Sequence, residues 1–138
     1  MTVDLSTVQA RHVEILMVQA PVVVISGAAT GLGRRIAERF EEGGFRAHVC
    51  DANPAAVQEF RASHPKAAAS IVDVSDARQV DAWFDEIAAK YGRVDVLVNN
   101  AGIEPKKPAP TAEYEEEEWD RIFAINLGGM FLCMKHEI

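Results

Sequence analysis

A chain of 138 residues, 49% of them hydrophobic and 25% charged, can bury one apolar core without disulfides or metals, and its composition lies outside the disordered range. With 14 basic residues against 21 acidic ones, the formal charge is -7; this balance gives no electrostatic footprint for nucleic acid, and none is expected as a partner. Cys50 and Cys133 are too few and too far apart for a disulfide framework or a zinc cluster, so a reducing, cytoplasmic setting is expected and no metal.

Residues 1–20 read as an N-terminal extension, with Val8, His12, Ile15 and Gln19 roughly on one helical face. From Ile15 to Gly33 the chain is uncharged for 19 residues, about a bilayer's span, yet Gln19, Pro21, Ser26, Thr30 and three glycines suit a strand followed by a loop. A membrane span is therefore not expected. Neither is a secretory signal, since Asp4 precedes the first cation, Arg11, and Glu14 interrupts the apolar stretch.

Beyond Pro21, short apolar runs alternate with amphipathic stretches. Strands are predicted at Val22 to Ile25, Arg46 to Cys50, Ser70 to Asp73 and Val94 to Val98; the first and last are apolar almost throughout, as strands covered on both faces are. Helices are predicted at 32–42, 54–63, 76–90 and 115–137. Asn53 before Pro54 caps the second, and Ser75 or Asp76 the third, in which Val80, Phe84, Ile87 and Ala88 recur at helical spacing. This alternation predicts an α/β fold: a Rossmann-like, doubly wound parallel sheet, with right-handed crossovers giving strand order 3-2-1-4.

Where the first strand hands over to the first helix stands Ser26-Gly27-Ala28-Ala29-Thr30-Gly31-Leu32-Gly33. Such a turn lets backbone N–H groups approach a pyrophosphate, and the helix N-terminus adds partial positive charge. A P-loop is excluded, because Arg34 and Arg35 follow Gly33 where that motif needs Lys and then Ser or Thr. Asp51 ends the second strand 18 residues after Gly33, near the offset at which a carboxylate accepts from a ribose 2′-OH. Its charge repels a 2′-phosphate, and neither Thr30 nor Ala52 is basic, so NAD is expected over NADP.

Further along come Asp73-Val74 at the end of the third strand, Asn99-Asn100-Ala101-Gly102 at the end of the fourth, and Asn126 in Ile125-Asn126-Leu127-Gly128. Together with the glycine turn and Asp51, these motifs resemble, in order and spacing, the short-chain dehydrogenase/reductase family over residues 21–138. The resemblance implies that Gly27, Thr30, Gly31, Leu32 and Gly33 surround the pyrophosphate and Asp51 holds the adenosine ribose. By the same resemblance Asp73 and Val74 border the adenine, and Asn100, Ala101 and Gly102 line the nicotinamide ribose. Asn126 matches the family's catalytic Asn, which helps to fix a water in the proton relay. A structural reading stands beside two of these: Asn99 and Asn100 tie the sheet together, and Asn126 kinks its helix.

The implied activity is hydride transfer between NAD(H) and a small alcohol or carbonyl substrate, which in the family needs Ser, Tyr and a Lys four residues after the Tyr. Here Asp95 stands four after Tyr91 and Glu118 four after Tyr114, so neither tyrosine begins the motif. A cofactor-binding half, incomplete at its C-terminus, is therefore expected; the alternative is a non-catalytic dinucleotide-binding or assembly module. The fourth strand would be an open edge, and Met130, Phe131, Leu132 and Met134 would lack a covering layer, so a homo-oligomer or a partner supplying the other half is expected. The acidic run Glu113, Glu115 to Glu118 and Asp120 reads as a solvated helix start, His48 and Cys50 as packed, and Trp83, Phe84, Trp119 and Phe123 as core.

Overall fold

The computed structural model describes residues 19–136; the proposed helical face of the extension, apart from Gln19, lies outside them. Four parallel strands, β1 (Val22–Ser26), β2 (Arg46–Asp51), β3 (Ala68–Ile71) and β4 (Val96–Val98), stand in the order β3-β2-β1-β4. β1 pairs with β2 from Val22 opposite Arg46 to Ser26 opposite Cys50, and with β4 from Val23 opposite Val96 to Ile25 opposite Val98. Helices α1 (Gly31–Glu42), α2 (Pro54–Ser63) and α3 (Ala77–Tyr91) connect them. After a single 3-10 turn at Thr111–Glu113 come α4 (Glu116–Phe123), a π-helical turn (Ala124–Gly128) and α5 (Gly129–Met134).

All five residues of β1 are buried because the sheet is covered on both faces. Val23 and Ile25 pack with Val49, Ala37, Val57 and Phe60 under α1 and α2, while Val22 and Val24 pack with Val80, Trp83, Ile87 and Cys133 under α3 and α5. The alternation of β1 side chains between these layers makes it the centre of the molecule, and each large side chain so buried contributes roughly 1.5–3 kcal/mol. Asn53 Oδ1 accepts from Ala55 N and Ala56 N and Asp76 from Arg78 N, the caps expected at these helix starts.

β1 and β2 each run one residue further than expected, and β3 begins two residues earlier, at Ala68; three other departures have a polar reason. β3 stops at Ile71 rather than Asp73, since Asp73 Oδ1 turns back to accept from Ser75 N and Oγ, and Gln79 Oε1 takes Asp73 N. β4 begins at Val96 rather than Val94, since Asp95 Oδ2 accepts from Val22 N at 2.7 Å in place of a ladder carbonyl. The helix expected over 115–137 is divided by the π turn that carries Asn126. Trp119 and Phe123, expected in the core, are 48% and 43% exposed, because nothing among the described residues covers that face of α4. No helix among those residues is long and apolar enough to cross a membrane.

Candidate functional site

The C-terminal ends of the strands build one site around the glycine turn. Gly27 has φ +62°, and a Cβ on it would lie 2.6 Å from Ala101 Cα, so the turn after β1 and the segment after β4 cross in backbone contact. At Gly33 a Cβ would stand 2.5 Å from both Gly27 O and Asn100 Nδ2, which is why α1 can start so close to the sheet. Gly31 differs: its φ is +57° and the space where a Cβ would point is open. No acid occupies the first turn of α1, and the Thr30 side chain makes no capping bond. The unpaired N–H groups there, with the helix dipole, suit an anionic ligand.

Ser26 and Asn100 lock this arrangement. Ser26 Oγ accepts from the N–H groups of Asn100 and Ala101, each at 3.1 Å, while Asn100 Nδ2 donates to Ser26 O at 3.1 Å and Gly27 O at 2.8 Å. The Asn100 side chain thus joins the two loops that meet at the cleft. Asp51 is oriented from both sides: Oδ2 accepts from Ala29 N at 3.3 Å and Oδ1 from Asn53 N at 3.0 Å. Each carboxylate oxygen has a second lone pair to offer.

Asn126 faces the segment after β4, its Oδ1 accepting from Ile103 N at 2.8 Å and its Nδ2 donating to Ile103 O at 3.0 Å. That pair reproduces a strand-like backbone bridge, and π turns of this kind recur where a helix must aim a side chain.

All eleven residues chosen from the sequence for dinucleotide contact line a single cleft of about 410 Å³. Ala52, Val72, Ile103 and Ile125 complete its walls; Asn126 is not among the lining residues, although Ile125 beside it and its partner Ile103 are. Of its fifteen lining residues, Asp51 and Asp73 are acidic and none is basic. The nearby Arg34 is paired with Glu38 and Glu59, and Arg35 with Glu38. Sequence reasoning missed Ser26, whose only signal is a hydroxyl as the last residue of an apolar strand, and Ile103, which the asparagine motif precedes by one position. Cys133 and His136 do not form a ligand pair: Cys133 is buried, while His136 stacks on Phe84 and meets Asp81 Oδ1 at 2.9 Å. Among the described residues no group of three potential ligands could hold a metal.

A parallel sheet with a glycine turn at its centre and an acid ending the neighbouring strand defines a dinucleotide-binding type of α/β protein. The chain belongs to the short chain dehydrogenase family, whose model matches residues 21–138. It is 39% identical over 116 residues to the meso-2,3-butanediol dehydrogenase of Serratia marcescens, covering 83% of this chain and 45% of that one. Among solved structures it is similar to the 3-ketoacyl-(acyl-carrier-protein) reductase of Brucella melitensis complexed with NADH, with TM-score 0.80 and 36% identity over 85% of this chain and 48% of that one. It is also similar to ElxO with NADP bound, with TM-score 0.77 and 27% identity over 86% and 49%. The chain spans about half the length of the curated relatives it matches.

Proposed function

We propose that this chain is the NAD(H)-binding part of an oxidoreductase acting on a small alcohol or carbonyl compound. The observation that carries this reading is the convergence of the glycine turn, Asp51, Asp73-Val74 and Asn100 to Gly102 on one cleft. In it, the first-turn amides of α1 hold the diphosphate, Asp51 accepts from the adenosine ribose, Asp73 and Val74 border the adenine, and Ala101 and Gly102 line the second ribose. A nicotinamide dinucleotide held by these residues would supply the hydride chemistry of such a reaction. Asn126, with both side-chain polar atoms engaged by Ile103, helps to fix a relay water by shaping the backbone beside the cleft. The proton-transferring tyrosine and its lysine are not among these residues, since Asp95 and Glu118 stand where a Lys would follow Tyr91 and Tyr114.

Preference for NAD over NADP is supported by the cleft's two carboxylates and by the pairing of its neighbouring arginines. A fluorescence titration tests both points: NADH changes its emission on mixing, and NADPH binds more weakly. No binding of either at millimolar concentration would refute the reading.

Self-association is supported by a separate observation. Trp119, Phe123, Leu127, Met130, Phe131 and Met134 are exposed apolar side chains of the last helical run, with Leu127 and Phe131 each 58% exposed, and β4 is the last strand of the sheet on its side. Leu132 is not among them, being packed toward the core. Light scattering should give a multiple of 15.1 kDa that Phe131→Glu reduces, and a monomer at all concentrations would contradict this.

A further inference from the structure

The segment leaving β4 forms one wall of the cleft through Gly102 and Ile103 and is held at two points. Asn126 holds Ile103; three residues on, Lys106 N–H donates to Glu118 Oε1 at 2.7 Å. Glu118 is itself held, because Arg121 Nε donates to Oε2 at 2.9 Å and Arg121 Nη2 to Oε1 at 2.8 Å. The spacing fits a strap laid along the helical run. Eight residues separate Glu118 from Asn126, roughly 12 Å of rise, and three extended residues reach roughly 10 Å.

Glu118 stands apart from the rest of the acidic run. Glu113, Glu115 to Glu117 and Asp120 are exposed, whereas the Glu118 side chain is 18% exposed between strap and helix. Its hydrogen bonds from Arg121 and Lys106 N hold its carboxyl down to about 2, below the ordinary 4.5, so the anchor stays ionised in mildly acidic solution as well.

The strand order places the two ends of the cleft. β2, bearing Asp51, and β4, bearing the strap, flank β1 on opposite sides, so a dinucleotide whose diphosphate sits on the turn after β1 must present one nucleoside to each. The geometry points to Glu118 as a positioning residue: through Lys106 N–H it fixes the strap, and thereby the fit of the nicotinamide half of the dinucleotide. This inference rests on the dinucleotide reading above.

ADP, which lacks the whole nicotinamide riboside, separates the two claims when titrated beside NADH on the whole chain. Glu118→Ala weakens NADH about five-fold, the scale of one charge-assisted hydrogen bond at a partly exposed site, and leaves ADP unchanged. Glu118→Gln, which keeps an acceptor oxygen for Lys106 N–H, retains most of the affinity. Lys106→Pro deletes the donor with Glu118 in place, reproduces the selective loss, and serves if Glu118→Ala fails to fold. Equal loss for both ligands, or no loss in either variant, overturns the role of Glu118 while the dinucleotide reading stands. Failure of both ligands to bind the unsubstituted chain overturns that reading and this inference with it.

Discussion

Asn100 and Ser26 exchange hydrogen bonds across the tips of β4 and β1: the amide of Asn100 donates to the carbonyls of Ser26 and Gly27, and the hydroxyl of Ser26 accepts from the Asn100 backbone. Because Ser26 is 2% exposed, water cannot readily replace a lost partner. Asn100→Ala leaves those carbonyls short of a donor and should cost about 2 kcal/mol. Asn100→Asp should cost more, since it turns a carboxylate toward carbonyl oxygens. Urea unfolding measures both, and an Asn100→Ala midpoint within error of the parent would show that the bridge contributes nothing.

Two glycines of the turn should fail in different ways when changed to alanine. At Gly33 the new methyl meets Gly27 O and Asn100 Nδ2 at 2.5 Å and Ala28 Cα at 2.7 Å, contacts that are backbone or tied to it, so Gly33→Ala should destabilise by about 1–3 kcal/mol or more. At Gly31 the methyl meets no atom, and the expected cost is about 1–2 kcal/mol for the left-handed backbone alone. Nucleotide affinity should nevertheless fall more for Gly31→Ala at a given loss of stability, because Gly31 lines the cleft and its methyl would enter open space rather than the protein. Paired unfolding and NADH titrations separate these; the reverse ranking would mean that Gly31 does not face the ligand.

How much of this was legible in the sequence depends on whether a feature is local. The glycine turn, the Asn53 and Asp76 caps, and the strand order follow from residue types at fixed spacing, and they stand where the residues placed them. The π turn is only half legible: apolar spacing over 115–137 suits an uninterrupted helix and Asn126 alone marks the place of a kink, while the bond that accompanies the division reaches Ile103, 23 positions away. The same periodicity marked Trp119 and Phe123 as an apolar face but carries no information on whether another layer covers it. Ser26 was unreadable as an organiser because its partners, Asn100 and Ala101, lie 74 and 75 residues downstream.

Asp51 offers a sharper test of cofactor choice. Its carboxylate is held by Ala29 N and Asn53 N and faces a cleft with no basic residue in its lining. Asp51→Ala removes both the acceptor for a ribose hydroxyl and the charge that repels a phosphate. NADH should bind several-fold more weakly and NADPH no worse, so their ratio narrows. Asp51→Asn should keep part of the ribose interaction while relieving the repulsion. If the ratio is unchanged in both variants, selectivity resides elsewhere.

His48 supplies a pH dependence whose sign follows from its surroundings. The ring is fully buried in β2, edge-on to Trp83 and Tyr91, with Nε2 3.0 Å from Ser70 Oγ. Ser70 Oγ donates to Glu86 Oε2, so His48 Nε2 carries the proton toward Ser70, and Nδ1, buried without a partner, is left bare. Protonating Nδ1 would bury a charged donor with no acceptor. Burial therefore pushes the imidazole down to about 4, helped by Lys90 and Arg61 and opposed by Glu86. Between the ordinary value of 6.5 and about 4, the unfolded chain holds a proton that the folded chain excludes. Stability from this residue is thus complete above pH 6.5 and is lost as the pH falls toward 4, by about 3 kcal/mol across the window. Urea unfolding at pH 7.5 and at pH 4.5 should show a smaller difference for His48→Phe than for the parent chain. An identical difference would place the acid sensitivity on other groups.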